Sequence, residues 1–330
     1  MEKTCTTPAR RACVVERSGL PEELPAKVNC AKTEAPRHAA TPLTRTNMDG
    51  PTQRISPRLA KLPRRRNRLF LASLLGSFLH KNSFRDLEVF CAFIGYPRSG
   101  HTLIGSLLDA HPNAVIGDEL DALRFLEAGF SKGQICYLLL RNARKAAAAG
   151  RQRTGYGYRV PGQWQGRFDK LRVIGDKMGG TTALRLQSHP GLLDSLPVML
   201  QLKTKYVHVL RNPYDVIATI HTRQRTPLAQ AVENFFKRCQ AVAYIRERLP
   251  QDVFDLRHEM FIDDPRAVLK RLCAFLGLSD DDAYYDACAS IVFRSPHHSR
   301  REIIWSDDLL ATVARRLHDF RFLDGYSYDT

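Results

Sequence analysis

The sequence predicts an α/β fold: a P-loop-type parallel β-sheet flanked by helices, in a single domain. Three observations carry this. Short apolar runs alternate with longer stretches of helical period, the order of a parallel sheet with helical crossovers. One run, residues 87–94 (LEVFCAFI), is apolar at every position but Glu88, as a strand buried on both faces is. A glycine-containing turn follows it directly and opens a helical stretch.

Residues 1–67 read as a disordered basic tail, rich in Pro, Thr, Arg and Ala and without a sustained apolar period. Of the net charge of +16, +9 lies at or before Arg68, from 15 Lys and Arg against 6 Asp and Glu. The remainder is modest for a nucleic-acid binder and suits a pocket for nucleotide phosphates. The domain then spans 68–330. The run 69–79 (LFLASLLGSFL), preceded by Arg64, Arg65, Arg66 and Arg68, is shorter than the roughly 20 apolar residues that cross a bilayer. It reads as an amphipathic helix packed on the domain, with a membrane contact as the alternative. Further strands are expected at 115–116, 171–174 and 206–210. Helices are expected at 100–110, 181–188, 213–223, 227–248, 265–276 and 306–320, with an excursion at 141–164. The eight cysteines form no C-x-x-C pair, and Cys91 and Cys273 sit in apolar runs. They read as reduced core thiols, and with no spanning segment the expected localisation is cytoplasmic.

The chemistry is expected at Gly95-Tyr-Pro-Arg-Ser-Gly-His-Thr102. Backbone N–H groups of such a turn and the helix N-terminus donate to anionic oxygens. The spacing matches G-x-x-x-x-G-K-[ST], except that His101 stands where lysine belongs. Pro97, Arg98, Ser99, Gly100, His101 and Thr102 are the candidate anion-binding residues, with Arg98 supplying the charge. A nucleotide kinase or NTPase is one alternative, disfavoured by the missing lysine and by the lack of an acidic strand end. A basic nucleic-acid-binding protein is another, motivated by the net charge.

Pro97-Arg-Ser-Gly-His-Thr102 resembles the 5′-phosphosulfate loop of the sulfotransferases that use 3′-phosphoadenosine-5′-phosphosulfate (PAPS), usually P-[KR]-S-G-T-[TS]. Leu210-Arg-Asn-Pro-Tyr-Asp215 resembles their 3′-phosphate element, L-R-[ND]-P-x-D. The resemblance runs from about Asp86 to Tyr326 and is closest in layout to tyrosylprotein, Golgi-like and bacterial members. It implies a sulfuryl transfer from PAPS, as co-substrate, to an acceptor hydroxyl, with no metal. It implies that Arg211 and Thr219, eight positions later, hold the 3′-phosphate. It implies a catalytic base at Glu119, after Leu107-Leu-Asp-Ala-His-Pro-Asn113 and Gly117-Asp118, with Asp118 the alternative base. Gly175-Asp-Lys177 is similar to the segment whose lysine reaches the sulfuryl group, so Lys177 joins Glu119 and Arg98 as catalytic candidates. Arg257-His-Glu259 resembles R-Y-E, with His258 in place of the tyrosine that contacts adenine. Arg294, Ser295 and Arg300 fall where the family closes a loop over the cofactor, with Arg294 and Ser295 the candidate cofactor contacts. His101 departs from the family's threonine, either as a second base or as a hydrogen-bonding loop residue. The acceptor is open among glycan, peptide tyrosine, lipid and small-metabolite hydroxyls; Tyr156, Tyr158 and Trp164 could rim its site.

Overall fold

A computed structural model of the chain describes residues 64–153 and 155–330. Its main sheet has five strands, β1 (Val89–Ile94), β2 (Ala114–Gly117), β5 (Val173–Asp176), β6 (Lys203–Leu210) and β7 (Val253–Arg257). All pair in parallel, in the order β2-β5-β1-β6-β7. A two-stranded hairpin, β3 (Gln152–Arg153) and β4 (Tyr156–Gly157), lies apart from it in the sequence region expected to be an excursion. The helices are α1 (Arg64–Leu79), α2 (His101–Leu108), α3 (Ala122–Glu127), α4 (Lys132–Ala148), α5 (Gly180–Ser188), α6 (Pro190–Leu200), α7 (Pro213–Gln224), α8 (Leu228–Arg248), α9 (His258–Asp263), α10 (Pro265–Leu276), α11 (Asp282–Ala289) and α12 (Asp307–Leu317). The expected α/β architecture is borne out. The described residues fall in one compact unit. Most of the expected tail lies outside the described residues, but its last part does not: residues 64–67 begin α1.

Strand β1 is the middle of the sheet and is buried throughout. Its side chains alternate between two cores. Phe90, Ala92 and Ile94 join the larger core with residues of α4 to α8 and α12. Val89, Cys91 and Phe93 join the second, with residues of α2, α10 and α11. That two-sided burial is why the run is apolar without alternation. Cys91, Cys136, Cys239, Cys273 and Cys288 are free and buried, and burial raises the Cys91 thiol above the ordinary range. Strand β7 was not foreseen. It closes one edge of the sheet with Leu256 alone fully buried, so its sequence (VFDLR) carries little apolar signal.

The loops that follow β1, β2, β5 and β6 all leave the same edge of the sheet, as parallel strands require. A buried brace sets the β2 exit. Asp109, at the C-terminus of α2, accepts from Ile116 N at 2.8 Å and Gly166 N at 2.7 Å, and pairs with the buried Arg151. Burial outweighs these partners and pushes its carboxyl up to about 6.

Helix α1 packs against α4 the wrong way round for an amphipathic helix. Its small and polar side faces the domain: Ser73 and Gly76 are buried, and Gln134 Nε2 donates to Phe70 O and Ser73 Oγ, both at 3.1 Å. Gly76 lies so close to the Tyr137 ring that a Cβ would fall 2.3 Å from it. Phe70 meets Phe130 edge-on at 5.0 Å. Leu69 packs on the larger core, but Leu71, Leu74, Leu75 and Leu79, expected to pack on the domain, are instead exposed. No helix among the described residues is long and apolar enough to cross a membrane.

The centre of the sheet tolerates no side chain at one position. A Cβ on Gly175 would sit 2.3 Å from Cys91 O and 2.9 Å from both Cys91 Cβ and Ile116 Cδ1. Two backbones and a core side chain must move to admit it. Gly175→Ala is expected to lower unfolding stability by about 3 kcal/mol or more. Gly157→Ala, which meets open space, serves as the control and should change it little. Urea midpoints of the two variants check this; equal midpoints would show that the sheet can spread there.

Candidate active site

The phosphate-loop candidate is a tight turn between β1 and α2. Arg98 has φ 72° and Gly100 φ 106°, left-handed values that glycine adopts freely and arginine does not. The turn is held from inside. His101 Nε2 donates to Ile94 O at 3.0 Å, which leaves Nδ1 as an acceptor 3.2 Å from Ser99 Oγ. The Ser99 hydroxyl also lies 3.1 Å from Tyr96 O. The His101 ring fits because its neighbours are glycines: a Cβ on Gly179 would be 3.1 Å from it, and one on Gly95 3.3 Å. Burial lowers its pKa to about 3, so the ring is neutral. The imidazole is turned into the fold as a hydrogen-bonding loop residue. What His101 and Ser99 can offer an anion is backbone N–H.

A buried cation stands beside the loop. Lys177, one residue past β5, has a side chain only 4% exposed. Its Nζ lies 2.6 Å from Asp118 Oδ1, 2.9 Å from Glu119 Oε1 and 3.3 Å from Thr102 Oγ1. Three segments from the sequence expectations, the loop, the β2 exit and the G-D-K element, thus converge on one ammonium. The two carboxylates differ in access: Asp118 is 17% exposed and Glu119 42%. Glu119 and Asp121 both have positive φ, 58° and 61°. That strained bend is tied down by Asp176, whose carboxylate accepts from Leu120 N at 3.1 Å and Ala122 N at 2.7 Å. Burial is the larger influence on Asp176 and pushes its carboxyl up to about 6. Asp176 was not singled out from the sequence, though it stands beside Lys177 in the same motif.

The second signature is explained residue by residue. Arg211 Nη1 donates to Arg98 O at 3.3 Å and Nη2 to His297 O, so it links the phosphate loop to the segment before Ser299. Its Nε is buried without a partner. Asn212 caps α7 by accepting from Tyr214 N at 3.0 Å, and Pro213 begins that helix. Asp215 receives the buried Arg300 at 2.7 Å. Thr219 Oγ1 donates to Asp215 O at 2.7 Å and lies 3.0 Å from Ser299 Oγ, which is 2.9 Å from His297 Nδ1. Arg294 and Ser295 are exposed on the loop before this group. The residues of that loop that reach Thr219 and Arg211 are Ser299 and His297, four residues further on than Ser295 in the case of Ser299. Of the three residues that the resemblance places in this loop, Arg300 is the one in contact with the second signature, through Asp215.

His258 packs on the phosphate loop: a Cβ on Gly100 would be 2.6 Å from its Cδ2. Burial, then the Arg211 charge, lowers its pKa to about 4, and its Nδ1 is buried without a partner. The hairpin brings aromatic rings towards the same edge. Tyr156 meets Phe293 edge-on at 5.8 Å and Tyr158 at 6.4 Å. Tyr158 lies close enough to Arg98 to feel its charge, although burial dominates and raises the phenol's pKa. Trp164 is further along and faces Arg167 at 5.7 Å.

The buried neutral state of His101 has a pH signature. The unfolded ring takes up a proton near 6.5, the folded ring only near 3. The unfolded chain therefore binds the extra proton first, and stability falls as pH drops from about 6.5 towards 3, at up to about 1.4 kcal/mol per pH unit. His101→Gln should flatten the plot of unfolding free energy against pH between about 6 and 4. An unchanged slope would mean that the ring is not held neutral. Asp176→Ala should cost about 2 kcal/mol or more, because two backbone N–H groups lose their acceptor. Denaturant titration measures this, and a loss under about 0.5 kcal/mol would show that water replaces the carboxylate.

Residues 92–282 match the sequence model of a family described as the sulfotransferase family. Comparison with curated proteins gives no significant match. Among solved structures, the chain is similar to the sulfotransferase domain of the Synechococcus olefin synthase, at 18% identity over 70% of this chain and 94% of that one, with a TM-score of 0.47. It is similar to the sulfotransferase domain of the curacin biosynthetic pathway, at 17% identity over 71% and 97%, with a TM-score of 0.48. A sulfotransferase from Mycobacterium avium aligns at 13% identity over 79% and 86%, with a TM-score of 0.43. The family match covers more than half of the chain and takes in the phosphate loop, the Asp118–Glu119 pair, Lys177 and the Arg211 element, and by that match the chain belongs to the sulfotransferase family.

Proposed function

We propose that this sulfotransferase moves the sulfuryl group of PAPS to an acceptor hydroxyl by in-line transfer, with Glu119 as base. The observation that carries the reading is Lys177, a buried ammonium within 3.3 Å of both the phosphate loop and the two acidic candidates. An anion seated on the loop amides would meet this charge, with the two carboxylates paired to it close by. In-line transfer needs both: a cation where the leaving oxygen gains charge, and a base where the nucleophile loses a proton.

In this reading the amides of Ser99 to Thr102 and the Arg98 guanidinium hold the 5′-phosphosulfate. Arg211, Thr219 and Ser299 hold the 3′-phosphate, and His258 lies beside the base. Arg211 Nε and His258 Nδ1, both buried without partners, are the kind of polar atoms that a bound nucleotide would satisfy. Glu119 takes the acceptor's hydroxyl proton. The acceptor oxygen bonds to sulfur as the bond from sulfur to the bridging oxygen breaks, and 3′-phosphoadenosine-5′-phosphate (PAP) leaves with the electron pair. Lys177 stabilises the charge gathering on that oxygen. Glu119 suits the base better than Asp118, because it is the more exposed and can face an acceptor.

Binding and turnover separate these roles. PAP should raise the melting temperature, and ATP with magnesium should barely do so; the reverse ranking would favour the kinase alternative. Arg211→Ala should weaken PAP by about 10- to 150-fold, the equivalent of a charge-assisted hydrogen bond of about 1.5–3 kcal/mol. Its affinity for adenosine-5′-phosphosulfate, which lacks the 3′-phosphate, should stay nearly unchanged. Equal losses for both nucleotides would make Arg211 structural. Glu119→Gln should cut turnover by about 10²-fold or more while PAPS affinity holds within a few-fold. Near-normal turnover in Glu119→Gln with loss in Asp118→Asn would move the base to Asp118.

A further inference from the structure

Helix α1 exposes Leu71 (64%), Leu74 (50%), Leu75 (62%), Phe78 (67%) and Leu79 (68%). Spacings of three and four put 71, 74, 75 and 78 on one face of a helix. The opposite face, with Leu69, Phe70, Ser73, Gly76 and Ser77, is the one seated on the domain. A helix that only decorated the domain would be more stable turned by half a revolution, with its leucines inward. The contacts that prevent this are specific: Gln134 binds the backbone and hydroxyl of the inner face, and Gly76 admits the Tyr137 ring. The apolar face is thus presented outward by construction.

Charge on and around this helix selects the occupant. Residues 50–85 contain nine Lys and Arg and no Asp or Glu. Four of the nine, Arg64, Arg65, Arg66 and Arg68, lie in the first turns of α1. Arg68 borders a shallow groove shared with Leu69, Ala72 and Arg141, and Lys81 sits over the Phe78 ring at 5.3 Å. A second copy of this chain would bring two such basic segments together, against their repulsion. The chain's own residues 1–63 are net basic too, with 11 Lys and Arg against 6 Asp and Glu. An apolar stripe bordered by cations matches instead a surface that is apolar beneath and anionic at its edge. We propose that α1 lies in the interfacial plane of an anionic lipid bilayer, its leucines and Phe78 among the acyl chains and its arginines at the headgroups. This inference does not depend on the identity of the sulfuryl donor or the base.

The test is co-sedimentation of the full chain with phosphatidylcholine vesicles, with and without roughly a third phosphatidylserine. Tight binding is expected only to the anionic vesicles, weakening as salt rises. The double variant Leu75→Glu, Phe78→Glu should lose about tenfold or more of that binding, since both apolar anchors are replaced by like charges to the lipid. Both positions are exposed, so its melting temperature should match the wild type. Val198→Glu, at another exposed apolar position, should bind as the wild type does. Equal binding by the double variant would assign the effect to the basic residues alone and overturn the proposal. So would failure of the wild type to bind. A wild-type dimer in sedimentation velocity that the double variant converts to monomer would assign the face to a second copy instead.

Discussion

The register of the parallel strands places the whole site. Gly117 of β2 pairs with Asp176 of β5, so Asp118 and Lys177 leave the sheet side by side. Lys177 N donates to Gly117 O at 2.9 Å, one last rung of that ladder. Ala92 of β1 pairs with the same Asp176, and Ile94 pairs with His208 of β6, so the phosphate loop emerges between Lys177 and Arg211. A slip of one residue between β1 and β5 would invert every side chain on one of them. Gly175 lets the two backbones approach, with Cys91 O in the space a side chain would need. The constraint at the sheet's centre and the convergence at its edge are therefore one feature.

Buried charge is arranged for position rather than for stability. Lys177, Arg300 and Arg151 are almost wholly enclosed, and each meets a carboxylate. Such pairs gain little over apolar packing, but breaking one strands the other charge. Arg300 with Asp215 fixes the start of α7 to the segment that carries Ser299 and His297. Arg151 with Asp109 fixes the exit from β2. Lys177 differs in having two carboxylates and a hydroxyl around one ammonium. A partner can therefore be released there without leaving the cation unpaired, which the single pairs do not allow.

The fold was legible in the sequence where burial is two-sided or where helices carry period and caps. The run at 87–94, the helix at Leu228–Arg248 and the Asn212-Pro213 start of α7 emerged within a residue or two of expectation. Strand β7 and helix α4 did not. The first is an edge strand with one buried side chain; the second ends in a run of alanines with arginines and lysine, which composition alone reads as a loop excursion. In the site, residues that follow a strand were legible because motif and strand end coincide: Arg98, Glu119, Lys177 and Arg211. Asp176, His297 and Ser299 were not. They act through contacts 54 to 86 residues away in the chain, and nothing local marks them. Helix α1 shows the converse failure. Its apolar period was plain, yet period cannot say which face meets the domain; the Tyr137 ring against Gly76 decides that.

The substitution of His101 for the loop lysine follows from the same geometry. A lysine at this position reaches forward over the phosphates of a triphosphate. The His101 ring instead reaches back, to Ile94 O at the end of β1, in a slot that Gly95 and Gly179 keep open. The loop loses a mobile cation and gains an internal brace. A cation stands beside the loop from the end of the neighbouring strand, where Lys177 lies 3.3 Å from Thr102, the residue after His101. A cation on β5 has a fixed approach, set by the strand register and by two carboxylates, whereas a loop lysine follows its ligand. In the transfer proposed above, such a fixed cation serves the one bridging oxygen that gains charge. The histidine thus braces the loop from inside at the position where the G-x-x-x-x-G-K-[ST] pattern would place a lysine, while Lys177 stands beside Thr102 from just past the end of β5.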